Sequence, residues 1–186
     1  MRLLVNFTRL LPGLMAIVLA MAITTGTSAS ANALSSEQTL TAAFLYNFLK
    51  FTEWPQQDKL SDKLTLCVTE SYLFDADLEG IAGLPAQNKT VRIKRVELGE
   101  NASACQLLFL AREEKPVRIR EWLKNTKNTP ILIVSNLEGF LDMGGMIILI
   151  DDGDRLQFEV NLEQVKSTGL KLSAQLLSIA RDVRGK

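Results

Sequence analysis

The chain has 186 residues, with 21 basic and 21 acidic side chains and no histidine. The missing imidazole excludes Ser-His-Asp and Cys-His catalysis, and two cysteines alone cannot complete a zinc site. The charge is balanced, and the sequence has no Gly-rich phosphate loop and no GxSxG elbow. We therefore expect neither an enzyme nor a nucleic-acid-binding protein, which needs a clustered positive surface, and no cofactor or metal.

The first 33 residues differ in composition from the rest and predict a secretory signal peptide. Two arginines precede an apolar run at 10–23, and small residues ending in Ala31-Asn32-Ala33 follow. A run of about 14 residues is shorter than the roughly 20 that span a bilayer, so we expect cleavage and no stable membrane insertion. The mature product, residues 34–186, is then expected to be a single soluble domain in the periplasm.

The segment TAAFLYNFLKFTEWP, residues 41–55, holds five of the chain's twelve aromatic residues and predicts a first helix from about Glu37 to Glu53. On a helical wheel one stripe is assigned to the core; it comprises Leu40, Phe44, Phe48 and Phe51. An adjacent face carries Asn47, Lys50 and Trp54. These three are candidates for contacting a partner protein, and the alternative is a helix packed on the sheet with Trp54 covering its end.

Strand and helix patterns alternate after the first helix, as expected for an α/β fold with a mainly parallel sheet. Strands are predicted at 64–70, 89–96, 105–111 and 130–135, and helices at 72–83 and 117–125. Two further strands, 146–150 and 155–161, flank the turn DDGD and predict an antiparallel hairpin. A final helix is predicted at about 170–183. We expect three layers, with helices on both faces of the sheet and the hairpin at one edge.

The two cysteines, Cys67 and Cys105, each lie next to a predicted buried strand. Export to an oxidising compartment favours a disulfide between them, and unpaired core thiols are the alternative. A disulfide between them would enclose 37 residues, and closing a loop of that length stabilises the fold by about 4 kcal/mol in the loop-entropy model.

Four residues near the carboxyl ends of the parallel strands are candidates for binding a small molecule. Ligands of open α/β sheets occupy the crevice at those ends. The candidates are Thr69, Glu70, Arg112 and Ser135. A periplasmic module that binds a small molecule for a sensor or transport system is therefore the alternative to a protein-binding regulator.

The mature chain resembles the YfiR family of bacterial periplasmic proteins along essentially its whole length. The resemblance is carried, in order, by AAFLYNFLKFTEWP, LTLCV, ACQLLFL, PILIVS, GGMIILI and RLQFEVNLEQVKSTGLKLSAQLLSIAR. It implies an α/β domain that forms homodimers and represses an inner-membrane diguanylate cyclase by binding the periplasmic region of that enzyme. An outer-membrane lipoprotein that sequesters the regulator is a further implied partner.

The resemblance also carries over to single residues. Cys67 and Cys105 match a disulfide pair of the family, whereas a second pair, in the segment equivalent to 140–148, has no counterpart here. The FEVN stretch matches a family motif, and we expect its Phe158, Glu159 and Asn161 to contact the partner. For Glu159 and Asn161, hydrogen bonding within the hairpin is an equal alternative.

Overall fold

A computed structural model describes residues 28–55, 61–69, 75–153 and 155–185. In chain order the elements are α1 (Ser28–Phe51), β1 (Thr52–Glu53), β2 (Lys63–Val68), α2 (Asp75–Ile81), β3 (Pro85–Ala86), β4 (Lys89–Arg95), β5 (Leu107–Leu110), α3 (Pro116–Asn125), β6 (Leu132–Ser135), β7 (Ile147–Asp151), β8 (Leu156–Asn161), α4 (Leu162–Ser167), β9 (Lys171–Leu172), α5 (Ala174–Ser178) and β10 (Asp182–Arg184).

Eight of the strands form one mixed sheet in the order β10-β8-β7-β6-β5-β2-β4-β3. The central strands β4, β2, β5, β6 and β7 pair in parallel, and β7 and β8 form the expected antiparallel hairpin. The mainly parallel α/β fold is thus confirmed. The hairpin is not the outermost element, because β10 pairs in parallel with β8 and forms the edge.

Contiguous apolar runs make the central strands, since a strand covered on both faces has no exposed side. Every residue of β5 and of β6 is buried, and the core of the molecule lies on these strands and their neighbours. The predicted strands agree with the observed ones to within a few residues at each end.

Helix α1 packs on one face of the sheet with a stripe slightly rotated from the predicted one. Leu45, Phe48 and Leu49 are fully buried, whereas Leu40, assigned to the core, is 44% exposed. The rings of Phe44 and Phe48 lie 5.7 and 5.2 Å from the ring of Phe158, centroid to centroid. The helix is therefore fixed to the hairpin by an aromatic cluster.

The predicted final helix at 170–183 is wrong. Gly169 adopts a φ of 78°, after which 171–172 leave the helical path and pair with β1 in a small separate sheet. Ser173 then caps the five-residue α5, and its side-chain oxygen accepts from the backbone N–H of Leu176. The leucines at 170–177 have helical spacing, which led to the prediction of one helix, but the segment is divided into β9, α5 and β10.

The predicted leader extends across the boundary of the described residues. Residues 1–27 lie outside them, and 28–33 form the first part of α1 rather than preceding the helix. None of the helices that the structure describes is long and apolar enough to cross a membrane.

Candidate functional site

At β8 the two faces of the sheet carry different side chains, an aromatic ring on one face and a carboxylate on the other. Paired residues of neighbouring strands share a face, so the register places Ile148 with Glu159 on one face and Leu149 with Phe158 on the other. We call the face that carries Phe158 the α1 face and the face that carries Glu159 the cleft face.

An open concavity of about 710 Å³, here called the charged cleft, lies over the hairpin on the cleft face. Glu159 is at its base and is only 9% exposed. Arg181 donates from Nε and Nη2 to Glu159 Oε1 at 3.0 and 2.6 Å, and Arg184 Nη2 lies 3.5 Å from Oε2. Arg184 Nη1 also donates to Asp142 Oδ1 at 2.8 Å.

The edge strand β10 positions these two arginines. Asp182 pairs with Glu159 in the parallel register, and the backbone N–H of Arg181 donates to Phe158 O at 2.8 Å. Arg181 immediately precedes β10 and Arg184 is its last residue, and they contact the two oxygens of the same carboxylate. Burial of Glu159 is tolerated because both of its oxygens face cations.

The opposite wall of the charged cleft comes from the carboxyl ends of β5 and β6. The backbone N–H of Arg112 donates to Asn136 Oδ1 at 2.7 Å, which joins the two strand ends. The Arg112 guanidinium donates to Glu37 Oε2 at 3.1 Å and also lies 3.5 Å from Glu113. The cleft therefore presents cations and carboxylates side by side.

Of the three ligand-binding candidates that the structure describes, only Arg112 lines the charged cleft. Ser135 is fully buried, donating to Leu110 O at 2.6 Å and accepting from the Leu137 N–H at 3.0 Å, so it joins β5 to the chain after β6. Thr69 is buried beside a smaller depression next to α3. Glu70 lies outside the described residues.

The expected partner-binding residues of the hairpin separate by face. Phe158 is 1% exposed and belongs to the core of the α1 face, so it offers no surface for contact in this chain. Glu159 lies in the charged cleft. Asn161 caps α4, accepting from the Gln164 N–H at 3.2 Å, which is a local structural role.

The expected partner-binding residues of α1 do not join that cleft. Lys50 is exposed, with its Nζ 5.3 and 5.6 Å from the ring centroids of Tyr46 and Phe51, and Asn47 is half-buried. Trp54 is buried and donates from its indole nitrogen to Gln106 O at 3.0 Å. This agrees with the alternative interpretation, a ring that covers the end of the helix.

Sequence reasoning missed Arg181, Arg184 and Asp142, which complete the site around Glu159. Arg181 is 22 positions from Glu159, and Asp142 is 42 positions from Arg184. The pairing of β10 with β8 brings them together. Because the sequence analysis predicted a helix at 170–183, it predicted no strand there that could pair with β8.

Cys67 and Cys105 form the expected disulfide, with their Cα atoms 5.7 Å apart. Cys67 pairs in register with Leu108, so an extended continuation of β5 would place Cys105 about 10 Å farther along the strand. The chain instead turns before β5, where the Cys105 N–H donates to Ala102 O at 2.9 Å. The turn returns Cys105 toward Cys67 on the cleft face.

The model of a family described as YfiR/HmsC-like matches residues 38–181. The chain therefore belongs to this family, and the resemblance found in the sequence is confirmed. Membership implies a periplasmic regulator of diguanylate cyclase signalling rather than an enzyme.

Proposed function

We propose that this member of the YfiR/HmsC-like family represses an inner-membrane diguanylate cyclase by direct contact with the periplasmic region of that enzyme. The observation that carries the proposal is the family match over 38–181, a stretch that contains both cysteines and the hairpin. We place the contact at the charged cleft.

The arginines of the charged cleft support this placement. The side chains of Arg181 and Arg184 are 43% and 47% exposed, although both also contact Glu159. A guanidinium has five N–H donors in a rigid fork, so it can hold Glu159 and still donate to a partner. Arg112, exposed on the opposite wall, adds a third cation. A partner segment carrying carboxylates or backbone carbonyls is complementary to this wall.

Repression requires only that the regulator bind one state of the cyclase more tightly than the other. A ligand with equal affinity for both states shifts neither, and each tenfold reduction in the active fraction needs about 1.4 kcal/mol of differential affinity. A cleft with fixed charges provides such discrimination when the partner presents matching groups in only one arrangement.

Export places the regulator where this contact is made. In this proposal residues 1–33 act as a signal peptide and are removed, and residues 34–186 form the single domain that meets the cyclase. Two further contacts implied by the family remain proposals, namely a homodimer of this chain and binding to an outer-membrane lipoprotein. Sedimentation of the purified mature chain tests the first, with a mass twice that of the monomer expected.

Site-specific photocrosslinking in the native host tests the contact. A photoreactive amino acid at Glu138, an exposed residue that lines the charged cleft, should crosslink to a membrane protein with a periplasmic region and a cyclase domain. The same amino acid at Lys124, exposed near the end of α3 and outside the charged cleft, is the matched control. Equal crosslinking at both positions, or none at Glu138, would contradict the proposed surface.

A small-molecule binding function at the same cleft is the second candidate. Its volume of about 710 Å³ lies within the range of ligand pockets, and Arg112 stands at the strand ends where α/β sheets bind ligands. A thermal-shift screen of metabolites discriminates, because a ligand at 100 times its Kd adds about 2.7 kcal/mol of stability. A stabilising metabolite whose effect is lost in Arg112→Ala would favour this candidate.

A further inference from the structure

A second concavity lies at the amino ends of the parallel strands, at the other end of the sheet from the strand ends that border the charged cleft. It has a volume of about 390 Å³, and we call it the basic cleft. The described residues that line it include the cations Lys63, Lys89 and Arg92 and no carboxylate. The charged cleft, by contrast, has carboxylates beside its arginines.

The register of β2 and β4 brings two of these cations to one face. Lys63 pairs with Thr90 and Thr65 pairs with Arg92, so Lys63, Thr65 and Arg92 share the cleft face. Lys63 and Arg92 are offset by two residues on neighbouring strands, which places their Cα atoms about 8 Å apart. Both side chains are long enough to meet at a single group between them.

Hydrogen bonding fixes the base of the basic cleft. Arg92 Nη2 donates to Thr65 Oγ1 at 3.1 Å, which directs the guanidinium along the sheet and uses one of its five N–H groups. The Thr65 N–H donates to Gln106 Oε1 at 2.6 Å, and the Trp54 indole donates to Gln106 O at 3.0 Å. The disulfide of Cys105 attaches the same wall to β2.

The remaining lining is rich in hydroxyl groups. Ser61, Ser103 and Thr129 border the basic cleft together with Thr65. The Ser61 and Thr129 hydroxyls already donate to Lys63 O at 3.2 Å and to Thr126 O at 2.6 Å, so the cations are the main donors to an anion. Hydrogen bonds to ionised groups are roughly twice as strong as neutral ones. The two like charges of Lys63 and Arg92 also repel each other, and an anion between them relieves that repulsion.

We propose that the basic cleft binds a small oxyanion carrying two negative charges, held between Lys63 and Arg92. Phosphate esters and small polycarboxylates share this chemistry. The site differs from the charged cleft in position and in charge, so its occupancy does not depend on the proposed contact with a cyclase.

Calorimetric titration of the purified mature chain at low ionic strength tests the proposal. The probes are inorganic phosphate, a phosphomonoester and citrate, with sodium chloride as the control for ionic strength. We expect saturable binding of at least one dianion, weakened about tenfold or more in Lys63→Gln and in Arg92→Gln. Binding of phosphate and its ester alone would indicate a phosphate group, and binding of citrate as well would indicate a general dianion site.

The matched control is Lys94→Gln. Lys94 lies on β4 two residues beyond Arg92, pairs with Glu100 at 3.3 Å and does not line the basic cleft. Lys94→Gln removes one positive charge from β4, as Arg92→Gln does. Its binding constant for the dianion should therefore equal that of the unaltered protein. Thermal unfolding of each variant verifies the fold. The proposal is overturned if no probe binds saturably, if Lys63→Gln and Arg92→Gln bind unchanged, or if Lys94→Gln weakens binding equally.

Discussion

The two faces of β8 are stabilised by different interactions, although adjacent residues of one strand supply both. On the α1 face, Phe158 is enclosed by the rings of Phe44 and Phe48. On the cleft face, Glu159 meets two partly exposed arginines, and the disulfide lies farther along the same side. At β8, apolar burial therefore supplies stability on one face, while the other face keeps charged groups available for recognition.

This difference matters because apolar burial and partly exposed ion pairs contribute unequally to the free energy of unfolding. Complete burial of a large apolar side chain is worth about 1.5–3 kcal/mol in transfer alone, and its removal also leaves a cavity. Ion pairs with exposed partners contribute about 0–1 kcal/mol. Substitutions on the two faces should therefore separate stability from binding.

The largest effect is expected for Phe158→Ala, which removes the ring at the centre of the α1 face. We expect a loss of about 3–5 kcal/mol in the free energy of unfolding, because the cavity lies between α1 and the hairpin. Urea unfolding followed by circular dichroism measures it. Phe158→Leu, which keeps more of the volume, should cost clearly less, and equal losses would argue against a packed aromatic cluster.

Removal of the disulfide should have the next largest effect, because the bond joins β2 covalently to the chain before β5. The double variant Cys67→Ala with Cys105→Ala should lose about 2–5 kcal/mol. Unaltered protein unfolded with and without a reducing agent provides the control, and the reduced protein should approach the stability of the variant. A variant as stable as the oxidised protein would show that the bond contributes nothing to folding.

A smaller loss is expected for Glu159→Gln, on the cleft face of the same strand as Phe158. The amide keeps the shape but leaves Arg181 and Arg184 without their shared carboxylate. Since both arginines are partly exposed, we expect a loss of about 1–2 kcal/mol in the free energy of unfolding, well below that of Phe158→Ala. The difference from the unaltered protein should shrink in high salt. A loss that matches Phe158→Ala would remove the distinction between the two faces.

Arg184→Ala should have the smallest effect on stability. Its contacts with Asp142 and Glu159 are partly exposed, and Arg181 still holds Glu159, so we expect a change of about 0–1 kcal/mol. The thermal midpoint measures this change. A loss above that range would mean that β10 depends on this one ion pair.

The α1 face could be predicted from the sequence because its signals are local. The buried strands appear as apolar runs, and the helical spacing of aromatic residues identified α1 as a packed helix, with an error of only part of a turn in its buried stripe. Strand alternation along FEVN likewise places Phe158 and Glu159 on opposite faces, as the register shows. Each of these inferences uses residues within one element.

The charged cleft could not be predicted because its parts are distant in sequence. Arg112 and Glu159 were each singled out, but as members of two different sites. Their common cleft depends on the strand order, and Arg181 reaches Glu159 only because 182–184 pair with β8. The leucines at 170–177 suggested one continuous helix. Ser173 lies among them and caps α5, but it was not recognised as the start of a new helix.

The most direct test of the proposed repression is the cyclic-di-GMP content of native host cells from which this chain has been deleted. We expect the content to rise on deletion and to return when the exported chain is restored. An export-directed Arg112→Ala variant, present at the same level, should restore it only in part, and a chain lacking residues 1–33 should not restore it. Unchanged cyclic-di-GMP on deletion, or full restoration by the chain that lacks the leader, would contradict repression from the periplasm.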